Sequence, residues 1–547
     1  MKQLRILVIL FLFSSLFASA QDEGVLSGNF QSNFSFFIKD TLIGADEKAS
    51  PQYGKQISSA EAWLFLNYDI KGFHLAARYD LFNNSNLLNP SGAYTGQGLG
   101  FWQIQKSIGN LEITAGSFYD QFGSGAIFRA YENRLIGIDY AMQGVRMKYD
   151  INDNLTVKAF TGKQKGFQDN RFGTSPQIIK GINAEQSMNF EDGTSLNIGV
   201  SGVNRTLDEN TMSTLVTEIN GLSLEDRFIP TYNVYAANGY FSLNWMDFGF
   251  TGEYNWKSKE AIRLDDGKLG LRGGSIAIGS ISYSKRRLGK KKQGGLGINV
   301  QYRRIENFPF LVTPFANLLN GIVTYQPSLT RQASYRMLAR YNAPAQFNGE
   351  TGYQAELVYS FSRKTNIQLN YSDITNLDGD DLFSEKFVQI EHKLSKKWKG
   401  KVGFQSVFYK QSIYEGESTY PDVVTHTPFL EFTYKVDRKN SIRFESQYLR
   451  TEQDLGSFYN GILEWNSSPK FTIAISDMIN AEPQRQSNQL IPKQILHYPS
   501  LFVKYNVKTT SFTAAYVKQV EGVNCTGGIC RLEPAFSGLR FTLATQF

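Results

Sequence analysis

Apolar and polar side chains alternate along most of this chain, and this period of two constrains the fold more than any other feature. After residue 20, no apolar run approaches the roughly 20 residues that a membrane-spanning helix needs. The segments on either side of the turn Lys71-Gly72 show the pattern. One face carries Ala62, Leu64, Leu66, Tyr68, Ile70, Phe73, Leu75, Ala77, Tyr79 and Leu81. Successive side chains of a strand point to opposite sides, so the pattern predicts strands with one apolar and one polar face.

The number and spacing of these strands predict an all-β fold, a single large transmembrane antiparallel β-barrel. We count about 24 strands, within a range of about 22 to 26, connected alternately by short turns and longer polar loops. The even count places both termini at the short-turn end, as in barrels with short periplasmic turns and long extracellular loops. A soluble all-β protein is the alternative, but a chain of this length would then be expected to divide into domains. No Pro- or Ser-rich boundary interrupts residues 21–547.

Both ends of the chain predict export to an outer membrane. Lys2 and Arg5 precede an apolar stretch, and Ala18-Ser19-Ala20 forms a small-residue cleavage site, so residues 1–20 are predicted to be a cleaved signal peptide. The last strand has an apolar face and ends on an aromatic residue, which resembles the C-terminal strand by which outer-membrane barrels are recognised for assembly. We therefore predict an assembly signal at Phe541, Leu543 and Phe547. Its expected partners are outer-membrane lipid and the barrel assembly machinery.

The sequence offers little enzymatic or cofactor chemistry. The four histidines, His74, His392, His426 and His497, lie on separate predicted hairpins, and no metal-ligand spacing or phosphate-binding loop is found. We predict no enzyme activity, no cofactor and no metal site. Cys525 and Cys530 are the only cysteines, and in an exported chain they are predicted to form a loop-closing disulfide rather than a metal pair. The net charge of +7 gives no reason to invoke nucleic acid.

Two longer segments are more specific than the other loops. The first follows Phe118 and places Arg129, Glu132 and Arg134 near a barrel mouth or constriction, although an ordinary polar loop would explain it equally well. The second, from Ile305 to Glu350, is the longest connection and carries Arg331, Arg336 and Arg340. It could fold inward and narrow the lumen, form an extracellular cap or docking surface, or pack on its own side chains as an Ω-like loop.

Three stretches resemble uncharacterised outer-membrane β-barrel proteins of the Bacteroidota. They are FYDQFGSG…FRAYENR, the stretch TPFANLLNG…YQPS beginning at Thr313, and the C-terminal aromatic strand. The resemblance extends over essentially the whole mature chain. It implies the fold and the location but no substrate, because such proteins have no assigned activity.

Two functions remain open from the sequence. A porin-like channel for small polar solutes would fit the Ser, Asn, Gln and Arg side chains that alternate with the apolar face. The alternative is a non-conducting barrel subunit of an envelope assembly or secretion complex, which would dock other envelope proteins through its long loops. The short turns are often basic, which solvated surface charge or contact with anionic headgroups would explain.

Overall fold

The structure is a computed structural model that describes residues 24–167, 170–289, 293–316, 321–416, 419–483, 494–526 and 529–547, with the side chains of residues 523–532 left out. The predicted signal peptide, residues 1–20, lies outside these ranges.

Twenty-four strands form one antiparallel sheet. They are β1 (Val25–Phe37), β2 (Ser58–Ile70), β3 (Phe73–Ser85), β4 (Tyr94–Ile108), β5 (Leu111–Phe118), β10 (Met142–Asn152), β11 (Leu155–Gln164), β12 (Ile178–Asn189), β13 (Ser195–Thr206), β14 (Asn233–Trp245), β15 (Phe248–Arg263), β16 (Leu269–Leu288), β17 (Gly294–Glu306), β18 (Gly349–Ser360), β19 (Thr365–Thr375), β20 (Asp381–His392), β21 (Trp398–Tyr409), β22 (Val423–Lys435), β23 (Asn440–Leu449), β24 (Gly456–Ser467), β25 (Phe471–Pro483), β26 (Leu496–Val507), β27 (Thr510–Gln519) and β30 (Phe536–Gln546). Short strands in the loops pair separately: β6 (Asp120–Gln121) with β7 (Arg129–Ala130), β8 (Glu132–Asn133) with β9 (Ile138–Asp139), and β28 (Gly522–Thr526) with β29 (Ile529–Glu533).

The sheet closes on itself between its first and last strands. β1 pairs with β2 on one side and with β30 on the other, in register from Asn29 opposite Gln546 to Phe37 opposite Gly538. Gly28 and Phe547 exchange two backbone hydrogen bonds of 2.8 and 3.0 Å. The predicted antiparallel barrel of about 24 strands is confirmed.

The two faces of the wall differ as the alternation predicts. On β15, Tyr254 and Trp256 face outward and are 58% and 49% exposed. Asn255 and Lys257, which alternate with them, face inward and are fully buried. The outer surface therefore offers apolar and aromatic side chains to a bilayer, and the inner surface is largely polar. Within the described ranges, no helix is both long and apolar enough to cross a membrane.

The connections differ in length at the two ends of the barrel. Eleven short turns, the start of β1 and the end of β30 lie at one end, and twelve loops lie at the other, counted from the strand bounds. A 3₁₀ turn, Pro51–Tyr53, lies in the loop after β1, and the helix Gln411–Tyr414 lies in the loop after β21. The helix Glu209–Asn220 lies in the loop after β13, where the Asp208 side chain caps its first turn by accepting hydrogen bonds from the Asn210 and Thr211 N–H groups.

Two of the loops turn into the barrel. We call residues 119–141 loop A and residues 307–348 loop B. Apolar side chains of both pack against inward-facing residues of the wall, which accounts for the two largest buried clusters. The segment Ile305 to Glu350, predicted as one loop, is slightly shorter in the structure, because its first and last residues belong to β17 and β18. Of the three arrangements considered for it, the inward fold is the observed one.

Candidate functional site: the lumen and its two inward loops

Loop A starts with aromatic packing against the wall. The Phe122 and Phe128 rings are 5.3 Å apart, and the Phe128 ring stacks on Phe160 of β11 at 4.4 Å. Gly125, with a φ of +96°, allows the sharp reversal between them, because L side chains rarely adopt this conformation. The start of the loop is therefore fixed inside the barrel by buried rings.

Loops A and B are hydrogen-bonded to each other. The Tyr325 N–H donates to the Gly125 carbonyl and the Arg129 N–H to the Val323 carbonyl, both at 2.9 Å. The Thr324 hydroxyl also donates to the Ala126 carbonyl. The two loops are consequently joined at residues 125–129 and 323–325, although they are about 180 residues apart in the chain.

A buried network of charges holds loop A to the wall. Asp139 of loop A is bound by Arg78 of β3 and by Lys165, each at 2.7 Å, and accepts a hydrogen bond of 2.9 Å from the Tyr119 hydroxyl. Arg78 also contacts Asp80 at 2.6 Å, and the side chains of Asp139, Asp80, Arg78 and Lys165 are at most 1% exposed. Burial favours the neutral form of Asp139, but the charges of Lys165, Arg78 and Arg171 outweigh it and hold the pKa of Asp139 below its ordinary value.

A second buried set holds the start of loop B. Arg205 of β13 and Lys257 of β15 both contact Glu260 at 2.6 Å. Each cation also donates to a loop B carbonyl, Arg205 to Leu311 at 3.1 Å and Lys257 to Pro309 at 3.3 Å. Two buried cations thus share one carboxylate and bind the backbone of loop B.

The far part of loop B is held by smaller contacts spread over β20 to β24. Arg331 lies 3.5 Å from Glu385 and 3.7 Å from the Phe387 ring centroid. Met337 N–H donates to the Gln447 side chain at 2.8 Å, and the Tyr335 hydroxyl to Glu431 at 3.2 Å.

At the tip of loop B, Asp454 contacts Arg340 at 3.0 Å and accepts a hydrogen bond of 2.8 Å from the Tyr341 hydroxyl. Burial opposes ionisation of Asp454, but the Arg340 charge and the hydrogen bond from Tyr341 keep its pKa below the ordinary value. The Arg340 and Asp454 side chains are each 13% exposed, so this anchor is more accessible to water than the network around Asp139.

The wall carries two groups of ion pairs. On one side, Arg443 of β23 contacts Glu464 at 2.9 Å and also reaches Glu431 and Glu445. On the other, Asp120 of loop A is contacted by Lys158 of β11 at 2.9 Å and by Arg146 of β10 at 3.4 Å, and Arg146 also reaches Glu112. β10 and β22–β23 are half the circumference apart in the 24-strand order. Charged side chains therefore face the lumen from opposite walls.

The structure places the six predicted site residues as follows. Arg129 lies between the Tyr131 and Tyr325 rings, at 4.5 and 3.8 Å. Glu132 joins Arg78 at 2.6 Å and Arg134 at 3.0 Å. Arg331 contacts Glu385 of β20, and Arg340 contacts Asp454 of the loop between β23 and β24. Arg336 is exposed between its buried neighbours Tyr335 and Met337 in loop B. All six belong to the two inward loops, and their role at a constriction stays a prediction.

Several residues that hold the loops were not predicted as site residues. Arg78 and Asp80 could have been found, because they alternate with His74 on the polar face of one strand. Asp139 and Lys165 carry no local signal, since their partners are distant in sequence.

Cys525 and Cys530 are opposite each other on β28 and β29, but their side chains lie outside the described ones, and the disulfide stays a prediction. In the described part of the chain, no three His, Cys, Asp or Glu side chains are grouped to hold a metal ion.

Comparison with known proteins gives similarity of overall fold only. The P pilus usher PapC, described as a translocation pore, aligns with a TM-score of 0.43 and 10% identity over 95% of this chain and 99% of that one. The siderophore receptor PirA from Pseudomonas aeruginosa aligns with a TM-score of 0.42 and 8% identity over 97% and 81%. These scores support no inference about activity, and no curated protein matches the chain. Residues 1–547 match a family of unknown function, DUF6029, and the chain belongs to this family.

Proposed function

We propose that this protein is exported by a cleaved signal peptide to a Gram-negative outer membrane, where it passes small polar solutes through a narrowed lumen. The observation that carries the proposal is the inner wall itself. It is polar and carries paired charged side chains on opposite walls, Arg146 and Lys158 on one side and Arg443 on the other, while loops A and B pack against other inward-facing residues. A wall that served only as a scaffold would not need paired charges facing the lumen from both sides.

The size of the barrel supports this proposal. A barrel of 24 strands encloses a space that side chains alone cannot fill, so it holds water or a plug. Loops A and B, which connect β5 to β10 and β17 to β18, supply part of such a plug. A partly plugged lumen of this size supports transport as the proposed function.

Conductance in a planar bilayer tests the proposal. We expect the purified full chain to give small single-channel currents, and replacement of residues 327–342 by a Gly-Ser linker of about six residues to enlarge them several-fold. Replacement of residues 223–227, which are exposed in the loop after β13, by Gly-Ser of equal length is the matched control and should leave the currents unchanged. Silence of both the full chain and the shortened one would refute the channel.

One observation favours the second function, a non-conducting subunit that docks envelope proteins. Leu224 and Ile229, in the loop after β13, are 82% and 86% exposed, and such apolar side chains would suit an interface. This function predicts a silent barrel from which co-purifying envelope proteins are lost in the double variant Leu224→Ser, Ile229→Ser.

A further inference from the structure

Cationic side chains follow half of the rim at the short-turn end. The six turns from β16–β17 to β26–β27 are successive around the barrel, because their strands pair in succession. Each turn, or the strand end beside it, carries at least one cation, among them Arg286, Arg363, Lys396, Arg438, Lys470 and Lys508. Lys285, Arg286 and Arg287 lie together at the end of β16. We call the described cations of these turns and strand ends the basic arc.

The other half of the rim has the opposite character. Its five turns, from β2–β3 to β14–β15, carry one lysine, Lys71, and the acidic residues Asp153, Glu191, Asp192 and Asp247. The charge of the rim is thus divided between two halves. General solubility would be served as well by mixed charges, so the division calls for a specific cause.

The cations of the basic arc have few acidic neighbours. Asp437 is the one acidic residue within its turns, and its carboxylate accepts hydrogen bonds from the Lys439 and Asn440 N–H groups of the same turn, at 2.7 and 2.8 Å. Among the described side chains, two ion pairs form at the arc, Lys285 with Asp247 of the neighbouring turn and Lys399 with Glu391 at the strand ends beside the β20–β21 turn. The side chains of the described arginines and lysines in the turns between β18 and β23 are exposed to water, where anions can reach them.

Aromatic side chains fix the depth of the arc in the membrane. Trp398 and Tyr434 lie at strand ends of the arc with ring centroids 4.5 Å apart, and the Lys397 Nζ lies 5.9 Å from the Tyr434 ring centroid. Phe471 and Tyr505 form a similar pair at 4.5 Å. Outward Trp and Tyr side chains mark the boundary between hydrocarbon and headgroups. The adjacent lysines and arginines therefore lie at headgroup level.

We propose that the basic arc binds the anionic headgroups of phospholipids such as phosphatidylglycerol in the leaflet that it faces. The cations are spread along the edge of the bilayer over half a circumference, directly beyond the aromatic side chains. A binding site for a soluble acidic protein would be expected to group its cations in one compact patch. Cations next to an anionic leaflet gain electrostatic attraction that falls off within a Debye length, so their position at headgroup depth is decisive. This inference is independent of conduction.

Native mass spectrometry tests the proposal on the full chain in non-ionic detergent, titrated with dioleoylphosphatidylglycerol or dioleoylphosphatidylcholine. We expect the wild type to prefer the anionic lipid by about tenfold. A variant with three neutralised turns, Arg363→Gln, Lys364→Gln, Lys396→Gln, Lys397→Gln, Arg438→Gln and Lys439→Gln, should reduce the preference to less than about threefold. All six side chains are exposed, so folding should be unaffected.

The acidic half of the rim supplies the matched control. The variant Asp153→Asn, Glu191→Gln, Asp192→Asn alters exposed turn charges without touching the arc and should keep the wild-type preference. Equal binding of the two lipids to the wild type, or an undiminished preference in the arc variant, would overturn the proposal. Arc-dependent binding of poly-glutamate without any lipid preference would overturn it in favour of an acidic protein partner.

Discussion

At the scale of single residues, Asp139 is the group on which the position of loop A most depends. Its carboxylate is fully buried between Arg78 and Lys165. The variant Asp139→Asn would remove the carboxylate nearest to Lys165 and one of the three that contact Arg78, and the loss of one partner of a buried ion pair costs about 3 to 5 kcal/mol. We expect a decrease of that size in the free energy of unfolding of the barrel, measured by urea titration in detergent with tryptophan fluorescence.

The control at this scale is Asp69→Asn. Asp69 pairs with His74 at the same distance of 2.7 Å, but its side chain is 55% exposed, so its loss should have little effect on stability. A decrease as large for Asp69→Asn as for Asp139→Asn would contradict the role assigned to burial.

The pKa of Asp139 predicts how the effect depends on pH. Because the folded-state pKa is lowered, the stabilisation is fully present above the unfolded-state pKa of about 3.9 and is lost as the pH falls further, through the folded-state pKa. The difference between wild type and Asp139→Asn should therefore be constant from about pH 5 to 8 and shrink only in stronger acid.

At the scale of elements, the two inward loops differ in how firmly they are held. Loop A is fixed by a network without water contact, whereas the anchors of loop B at Arg331 and Arg340 are partly exposed. The variant Glu385→Gln, Asp454→Asn removes both carboxylates, and each hydrogen bond to a charged group contributes roughly 1.5 to 3 kcal/mol. We expect hydrogen exchange in residues 329–343 to accelerate about tenfold or more, measured by mass spectrometry, with loop A unchanged.

A wall pair without loop contacts provides the control for this measurement. Glu391 of β20 binds Lys399 at 2.8 Å. The variant Glu391→Gln should leave the exchange of loop B as it is. Exchange that accelerated equally in loops A and B would show that the loops move as one unit and that the anchors do not distinguish them.

The candidate site was predictable only where its signal is local. Sequence singled out both inward loops, because loop B is unusually long and apolar and loop A carries glycines followed by mixed charge. It could not choose between an inward fold and an external cap, since that choice depends on Arg205, Lys257 and Glu260, which lie on the wall far from loop B in sequence. The alternation of apolar and polar residues along a strand carries no information about side-chain contacts between residues distant in sequence.

At the scale of the whole molecule, the barrel was predictable because every strand repeats the same pattern. The alternation of apolar and polar side chains fixes which face of each strand points outward. The alternation of short and long connections fixes the even number of strands and the end of the barrel at which β1 begins and β30 ends. The exact ends of the strands were harder to predict, as at Ile305 and Glu350, because strands continue into loops without a change of composition.

Closure of the barrel gives the last prediction. Phe547 completes the seam through its two backbone hydrogen bonds with Gly28, and its ring lies so close to Gly28 that a Cβ there would meet ring carbon at 2.7 Å. If Phe547 is also part of an assembly signal, its deletion should lower the amount of folded barrel in cell membranes several-fold. The folded fraction is measured by the heat-dependent shift of the band in SDS gels.

Assembly and stability can be separated by refolding the same variant. The chain without Phe547 should refold in detergent with a yield near that of the wild type, because it loses two hydrogen bonds of a seam that otherwise remains paired over nine residues on each strand. Phe512→Ala, which removes another outward aromatic ring on the adjacent strand β27, should leave the cellular level unchanged. Normal cellular levels after deletion of Phe547 would show that the terminal residue serves closure alone, whereas poor yields in both settings would assign the loss to stability.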